Sequence, residues 1–433
     1  MPKRSQNFPY PPQCASKVIV VATPTGLPPS YMRRYARREQ SGKSSWMPRS
    51  APPNAMGGIE KMPASKHKVA MIGVGRMGTN HARGYELHPR CELVAAADPD
   101  RRNLDRFRER FGVTSVYESY QEMLANEEID IAAPVLPVSV NPEVVIACAE
   151  AGVRAIFSEK PIAASLREAD RMVEACRARN IPFASGDAWR NLPQFRQFRD
   201  MIDRGEVGEV RSINVYHPHD EISGGGCQSL GVMRLMAGDA DVDWVVGWVK
   251  DDPFDDGDQG MGGVVRFSNG IEAFIHMNAV GKFGIEVNTS RAVFFSDWKT
   301  FRLWPLPDDP PNATVWPDNE VSGVFEHAAD PVNMYGEDGR RLPQYRQRSS
   351  INAIVEALEQ GREPWTSGDN MRKALEIGIA LRESHRRGHV PVHLPLEDRS
   401  LRILPRPGRW LNKREVYGDE WYEDAMAAHQ RPQ

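Results

Sequence analysis

The glycine pattern after the first apolar run constrains this chain more than any other feature. Residues 69–72 are apolar and predict a buried strand, residues 73–78 are GVGRMG, and helical spacing continues to about residue 87. A second apolar run at residues 92–97 ends on Asp98, 25 positions after Gly73. A GxGxxG between a strand and a helix, with an acid closing the second strand, is typical of a dinucleotide-binding Rossmann unit.

Each position of the pattern has a physical reason. Gly73 permits the tight turn out of the strand, Gly75 lets a pyrophosphate approach the backbone, and Gly78 allows the helix to pack closely on the strand. Arg76 and Met77 begin the helix, where free N–H groups and the positive dipole end face the phosphates. We therefore predict that these five residues bind the cofactor phosphates.

Asp98 predicts the cofactor preference. Its carboxylate can accept hydrogen bonds from the adenosine ribose hydroxyls, which favours NAD. Arg102 follows four residues later and is placed where it could meet a 2′-phosphate, so NADP stays possible.

The alternation of strands and helices predicts a parallel, doubly wound sheet. Further strands are expected at residues 129–133, 153–157 and 182–185, and helices at 103–111, 142–151 and 165–179. Ligands bind beyond the carboxyl ends of the strands in such a sheet. Pro137, Asn141, Glu159 and Lys160 follow those ends and are candidate cofactor residues.

Two segments in order, VAMIGVGRMG at 69–78 and SEKPIA at 158–163, resemble the Gfo/Idh/MocA oxidoreductase family. The resemblance covers most of residues 68–396. It implies a Rossmann domain at 67–186 and an α+β domain at 187–396. The second domain would contain a large, open, mainly antiparallel sheet that forms the floor of the substrate cleft. Residues 397–433 would be a C-terminal tail that either straps across a neighbour or lies free.

The resemblance also implies roles for individual residues. Lys160 matches the family lysine that faces the nicotinamide ribose and the substrate. A partly desolvated lysine beside a pyridinium can polarise a substrate hydroxyl or exchange a proton with it. Glu159 would orient the ribose or Lys160. Trp189 and Arg190 stand where the family places an aromatic residue and an arginine near the nicotinamide, so we expect both to bind substrate.

Two positions depart from the family pattern. Asn141 stands where a histidine is usual. In the second domain, Gly224 and Gln228 replace the acid and the histidine that usually accept the substrate proton, and glutamine cannot act as a base near neutral pH. Gln228 remains a candidate substrate residue, but the usual acid–base pair is absent.

Other histidines could supply the missing base. His217 and His219, with Asp220 beside them, begin a loop after the predicted strand at 210–215, and either could serve, or both could be solvated loop residues. His276, in the alternating strand at 271–278, either lines the cleft floor or packs there. Two loop histidines are weak evidence for a metal, and none is predicted.

Composition and charge set the first 66 residues apart and indicate the cellular compartment. Residues 1–66 hold eleven Lys and Arg against two acids, a net charge of about +9, which leaves about −12 elsewhere given −3 overall. The extension is expected to be disordered or a mis-started leader rather than a nucleic-acid arm. Five scattered cysteines without a CxxC pair favour a reducing, cytoplasmic compartment. No apolar run is long enough to cross a membrane.

Three functions follow as hypotheses. The first is an NAD(P)-dependent oxidoreductase that oxidises a hydroxyl of a sugar or polyol by hydride transfer. The second is a redox-neutral enzyme, such as a glycosidase, lyase or epimerase, that retains its NAD, which the altered acid–base residues would fit. The third is a non-catalytic NAD-binding protein. Relatives in the resembled family imply a homodimer or homotetramer.

Overall fold

The computed structural model describes residues 65–186, 189–216, 221–277, 283–298, 300–305 and 345–430. The predicted basic extension lies outside these ranges except for its last two residues. The loop that carries His217 and His219 lies outside them as well.

The first sheet has six strands in the order β3-β2-β1-β4-β5-β6. Every neighbouring pair is parallel, and this order is that of a doubly wound dinucleotide-binding fold. The strands are β1 (His67–Ile72), β2 (Cys91–Ala97), β3 (Ser115–Tyr117), β4 (Ile131–Pro134), β5 (Ala155–Ser158) and β6 (Phe183–Ser185). The predicted parallel sheet is confirmed, with β3 as an additional short strand.

Helices cross between these strands. They are α1 (Arg76–Glu86), α2 (Arg101–Phe111), α3 (Tyr120–Asn126), α4 (Asn141–Glu150) and α5 (Leu166–Arg177). Local sequence accounts for their ends: Ser165 and Glu168 form a reciprocal capping box at the start of α5. Gly112 ends α2 with a φ of 70°, a left-handed conformation that glycine adopts without strain.

The second sheet has eight strands in the order β13-β12-β11-β7-β10-β9-β8-β14. They are β7 (Val210–Tyr216), β8 (Val242–Val249), β9 (Met261–Phe267), β10 (Glu272–His276), β11 (Gly284–Thr289), β12 (Ala292–Ser296), β13 (Phe301–Pro305) and β14 (Val392–His393). Only the β7–β10 pair is parallel, so the expected mainly antiparallel sheet is confirmed.

Helices cover one face of this sheet. The later helices are α6 (Pro193–Asp203), α7 (Cys227–Met236), α8 (Tyr345–Gln360) and α9 (Gly368–Arg386). Phe198 of α6 stacks on Phe294 of β12 at 4.2 Å between ring centroids. Helix α9 approaches β8 so closely that a Cβ at Gly247 would lie 2.7 Å from the Leu381 Cα, so glycine is required there.

Helix α8 returns to the first sheet. Its Ile351, Ile354 and Val355 are buried in one cluster with Met71 of β1 and Phe157 of β5. The core of the dinucleotide-binding fold is therefore completed by a segment that lies far along the chain, within the domain predicted at 187–396.

The chain after β14 also returns to the first half. Leu401 O accepts a hydrogen bond from Leu166 N at 3.1 Å, and Ile403 N donates to Ala164 O at 2.9 Å. Three short helices follow: α10 (Pro407–Trp410), α11 (Lys413–Tyr417) and α12 (Asp419–Gln430). We call residues 405–430 the C-terminal arm. Within the described ranges, no helix has both the length and the apolarity needed to cross a bilayer.

Candidate active site

The predicted cofactor segments meet at the carboxyl edge of the first sheet. The glycine segment follows β1, Asp98 follows β2, and Glu159 with Lys160 follows β5. Backbone bonds hold the strand ends in register: Gly73 N donates to Ala97 O at 2.7 Å, and Glu159 N donates to Pro134 O at 3.0 Å. The parallel topology thus brings together residues that are far apart in the sequence.

The three fingerprint glycines have the expected spatial roles. Gly73 has a φ of +83°, and a Cβ on Gly78 would lie 1.9 Å from the Gly73 carbonyl oxygen, so both positions exclude a side chain. Gly75 begins α1 without any side-chain cap. A Cβ on Gly75 would meet one group within 4 Å, the Tyr422 hydroxyl at 2.6 Å. The first and third glycines are therefore needed for packing, and the second faces the ligand side.

The Asp98 carboxylate lies beside this turn and is 7% exposed. It accepts hydrogen bonds from Val74 N at 2.8 Å, Asp100 N at 2.9 Å and the Asn103 amide at 3.3 Å. Burial raises the pKa of Asp98, and these hydrogen bonds oppose that effect. Since a carboxylate has about four acceptor positions, Asp98 can still accept from a ribose hydroxyl.

Arg102 is exposed and already has acidic partners. Its guanidinium lies 3.1 Å from Asp100 and 3.3 Å from Asp419 of the arm. Binding a 2′-phosphate would require it to exchange these partners. Its predicted role in NADP binding stays a prediction.

Pro137 and Asn141 shape the loop between β4 and α4. Pro137 O accepts hydrogen bonds from both Val140 N and Asn141 N at 3.2 Å. The Asn141 side chain is buried and donates to Ile162 O at 3.1 Å. Asn141 therefore ties this loop to the segment that follows Lys160, which is a positioning role.

Glu159 is buried between α1 and the strand ends. One carboxylate oxygen accepts from the Lys160 backbone N at 2.5 Å, and the other lies 3.6 Å from Nε2 of His81 on α1. Burial alone would raise the pKa of Glu159, but His81 and the Lys160 charge outweigh it and lower the pKa to about 2. Glu159 is therefore an ionised group that fixes the backbone of Lys160.

This depressed pKa predicts an acid-dependent loss of stability. The pKa of Glu159 is about 2 in the folded chain against an ordinary 4.5. Above the ordinary value its stabilising effect is complete, and it is lost as the pH falls toward the folded value. Between about pH 5 and pH 3, the free energy of unfolding should fall more steeply for the wild type than for Glu159→Gln. Urea unfolding at several pH values measures this; equal slopes would contradict it.

The Lys160 side chain lies against the turn after β6. A Cβ on Gly186, whose φ is +87°, would lie 3.1 Å from the Lys160 Cβ. Among the described residues, no carboxylate lies within ion-pair distance of the Lys160 amine, which is thus free to meet a ligand. Its own backbone is held by Glu159.

Arg190 is placed differently from the prediction. It is 1% exposed, and its guanidinium pairs with both oxygens of Asp239 and donates to Gly231 O at 2.9 Å and to Trp365 O. These contacts use its donors within the fold. Trp189 packs against Trp298 at 5.1 Å between ring centroids, so substrate binding by either residue stays a prediction.

The pair between the buried Arg190 and the partly exposed Asp239 predicts a stability effect. Asp239→Asn keeps the shape of the side chain, and asparagine tolerates the φ of 56° at this position. The substitution leaves the buried Arg190 charge without its carboxylate partner, and unfolding should cost about 2 kcal/mol less than in the wild type. Asp241→Asn is the matched control, since its exposed pair with Lys373 should contribute under about 1 kcal/mol. Denaturant unfolding compares them; equal midpoints would favour a ligand role for Arg190.

The structure describes the surroundings of two further candidates, Gln228 and His276. Gln228 lies buried in the first turn of α7, with its side-chain oxygen unpartnered. His276 is exposed at the end of β10, where it bonds Asn214 at 3.1 Å and stacks on Tyr216. Substrate binding by Gln228 and His276 stays a prediction. The bases predicted at 217 and 219 lie outside the described residues.

Comparison with known proteins places this geometry in a family. Residues 67–186 match the sequence profile of the Gfo/Idh/MocA oxidoreductase family, described as an NAD-binding Rossmann fold. This match covers the glycine turn at residues 73–78, which we call the cradle, together with Asp98 and the Glu159–Lys160 segment. Residues 67–186 are thus similar to the NAD-binding domain of the Gfo/Idh/MocA family.

Other similar proteins match a longer part of this chain than the family profile does. It is 23% identical to myo-inositol 2-dehydrogenase of Thermotoga maritima over 73% of this chain and 96% of the relative. It is 26% identical to dTDP-3,4-didehydro-2,6-dideoxy-α-D-glucose 3-reductase of Actinomadura kijaniata, over 77% of this chain and 98% of the relative. A levoglucosan dehydrogenase solved with NADH and levoglucosan shares the fold, with a TM-score of 0.62 and 17% identity over 77% of this chain and all of the other.

The cradle fits the dinucleotide. The uncapped start of α1 provides the N–H donors that a pyrophosphate requires, and Gly75 has no side chain on this side, where the Tyr422 hydroxyl is the one group within 4 Å of its Cβ position. Asp98 provides an acceptor for ribose hydroxyls. Gly73, Gly75, Arg76, Met77, Gly78 and Asp98 would hold the adenosine and phosphate half, and Lys160 would meet the nicotinamide half.

Sequence reasoning missed two features of this site. His81 lies three residues after Gly78, so it shares that face of α1, and this spacing could have revealed it. The arm could not have been placed from sequence, because its contacts with Gly75 and Asp100 depend on the tertiary path of the chain.

Proposed function

We propose that this protein is an NAD-dependent dehydrogenase that oxidises a CH–OH group of a sugar or polyol. The observation that carries the proposal is the Lys160 amine at the cofactor edge, which has no carboxylate partner in the described part of the chain and whose backbone is anchored by Glu159. The names of the similar proteins, which include an inositol dehydrogenase, a deoxysugar reductase and a levoglucosan dehydrogenase, support a carbohydrate-like substrate.

Lys160 is the proposed acid–base group. Bound NAD supplies the hydride acceptor. Oxidation of an alcohol releases a proton from the hydroxyl while the carbon-bound hydrogen leaves with its electron pair. The Lys160 amine is free to hydrogen-bond that hydroxyl and to take part in the proton transfer. Glu159 acts as a positioning residue because it fixes the Lys160 backbone, and His81 in turn faces Glu159.

We also propose NAD rather than NADP as the preferred cofactor. Asp98 would repel a 2′-phosphate and accept from a 2′-hydroxyl. Arg102 lies opposite Asp419 and Asp100, which weakens the case for a phosphate site there.

The open face of the second sheet supports a homo-oligomer. Alternate residues of β8 and β9 turn away from the helices, and this face carries Trp244, Val246, Trp248 and Val264. Trp248 is 39% exposed. An apolar sheet face of this kind favours burial against a second copy, so we propose a homodimer or homotetramer.

A cytoplasmic setting is proposed from the cysteines. The four in the described ranges, Cys91, Cys148, Cys176 and Cys227, are free and buried. Free cysteines without disulfide partners are typical of proteins in a reducing compartment.

The test is a substrate screen with the purified protein. Polyols, aldoses and anhydrosugars are each incubated with NAD, and the fluorescence of the reduced cofactor is followed. Reduction with any of them supports the proposal. No reduction, together with near-stoichiometric nucleotide released on denaturation and identified by mass spectrometry, would contradict it in favour of a redox-neutral cycle.

A further inference from the structure

The C-terminal arm crosses the edge of the first sheet at which the cofactor segments meet. Arg409 O accepts from Val138 N at 3.0 Å, and Trp410 O accepts from both N and Oγ of Ser139, the latter at 2.5 Å. These bonds fix the arm on the loop between β4 and α4. On the other side, Arg409 Nε donates to Glu221 at 3.0 Å, which anchors the arm to the second domain.

Tyr422 is the residue by which the arm reaches the glycine turn at residues 73–78. Its side chain is 7% exposed, and its hydroxyl lies 2.6 Å from the position of a Cβ on Gly75. Burial raises the pKa of Tyr422, and the adjacent Asp98 carboxylate raises it further. The hydroxyl therefore fills the space that the second fingerprint glycine leaves open for a pyrophosphate, next to the acceptor for the adenosine ribose.

Ion pairs hold Tyr422 in this position. Arg414 lies 2.9 Å from Asp100 and 2.8 Å from Glu423, and its guanidinium stacks over the Tyr422 ring at 4.2 Å. Glu423 also pairs with Arg106 of α2. The acidic residues of α12 thus form ion pairs with basic residues of α2, and these pairs fix the position of the docked arm.

The arm also brings positive charge to the site. Burial and the neighbouring charges of Arg76, Arg409 and Lys160 lower the pKa of Lys413. Lys413 has no carboxylate within ion-pair distance among the described residues. The arm therefore places a positive charge near Arg76 at the start of α1 and near Lys160.

We propose that the C-terminal arm is an intramolecular ligand of the cofactor site, and that Tyr422 and the dinucleotide bind there in competition. The inference rests on the proposed function only for the identity of the cofactor. A tethered segment has a high effective concentration, so NAD must displace the arm before its pyrophosphate can lie against Gly75. The apparent affinity for NAD is reduced by the fraction of molecules in which the arm is undocked.

The test measures NAD binding by calorimetry, without reference to turnover. Tyr422→Ala removes the side chain that fills the cradle, and we expect NAD to bind about tenfold more tightly or better, as removal of a competitor docked in nine molecules of ten would give. Trp421→Ala is the matched control: this neighbouring aromatic side chain is 44% exposed and contacts Tyr417, so NAD affinity should stay at the wild-type value.

A second variant tests the ion pairs that hold the arm in place. Glu423→Lys places a cation beside Arg106 and Arg414, which should undock the arm and tighten NAD binding as Tyr422→Ala does. Unchanged or weaker NAD binding in both variants would overturn the inference, and weaker binding would make the arm part of the cofactor-holding surface. Binding of NAD by neither the wild type nor any variant would instead overturn the proposed function, so the two failures are distinguishable.

Discussion

Lys160→Met is expected to lower kcat by about 10²- to 10⁴-fold, the usual contribution of a positioned acid–base group, while NAD binding changes little. Methionine keeps the unbranched aliphatic stem, so the contact of the side chain with Gly186 is preserved and the fold should be unaffected. The lost group is the amine, which no described carboxylate requires for pairing. Kinetics with the best substrate from the screen, together with calorimetric NAD binding, measure the two effects separately.

Lys68→Met is the control for this substitution. Lys68 lies in β1 of the same sheet, with its amine 2.7 Å from the exposed Glu128 and away from the glycine turn. Its replacement should leave kcat and NAD affinity at wild-type values. If Lys160→Met turned over at the wild-type rate, Lys160 would have no role in proton transfer. The bases predicted at His217 and His219 would then be the next candidates.

The part of the fold that sequence predicted well is local in the chain. The strand–glycine–helix unit at residues 67–86 and the acid after β2 are set by short-range patterns: alternation of buried runs, a positive φ at Gly73, and close packing at Gly78. Such patterns need only neighbouring residues to be interpreted. The same holds for the capping box at Ser165, which marks the start of α5.

The features that sequence could not supply depend on the path of the chain. Arg190 lies just after the first predicted domain, where a ligand contact was expected. In the structure it forms an ion pair with Asp239, which is 49 residues later in the sequence. Helix α8 completes the first core although it lies within the second predicted domain. Tyr422 reaches Gly75 from near the C-terminus. None of these contacts has a periodic or local pattern, so only the tertiary fold reveals them.

Gly75→Val is expected to weaken NAD binding by 100-fold or more while the protein stays folded. Gly75 has a φ of −66°, which any residue adopts, and the one group a Cβ would meet within 4 Å is the Tyr422 side chain of the arm, which can undock without unfolding either sheet. The added methyl groups would project into the space where the pyrophosphate lies, and the loss of its contacts with the helix start corresponds to about 3 kcal/mol of binding energy. Calorimetry with NAD and thermal unfolding measure the two properties.

Gly78→Ala is a contrasting variant, because it should disturb the packing of the turn, whereas Gly75→Val should block the pyrophosphate directly. Its Cβ would lie 1.9 Å from the Gly73 carbonyl oxygen, so the turn itself must move, and both stability and NAD binding should fall. Combining Gly75→Val with Tyr422→Ala separates the steric block from any shift of the arm: the double variant should still bind NAD about 100-fold more weakly than Tyr422→Ala alone. Affinity in the double variant equal to that of Tyr422→Ala alone would show that valine acts through Tyr422 and not on the pyrophosphate. Normal binding in Gly75→Val alone would mean that the pyrophosphate does not lie against this glycine, and the assignment of the cradle would be wrong.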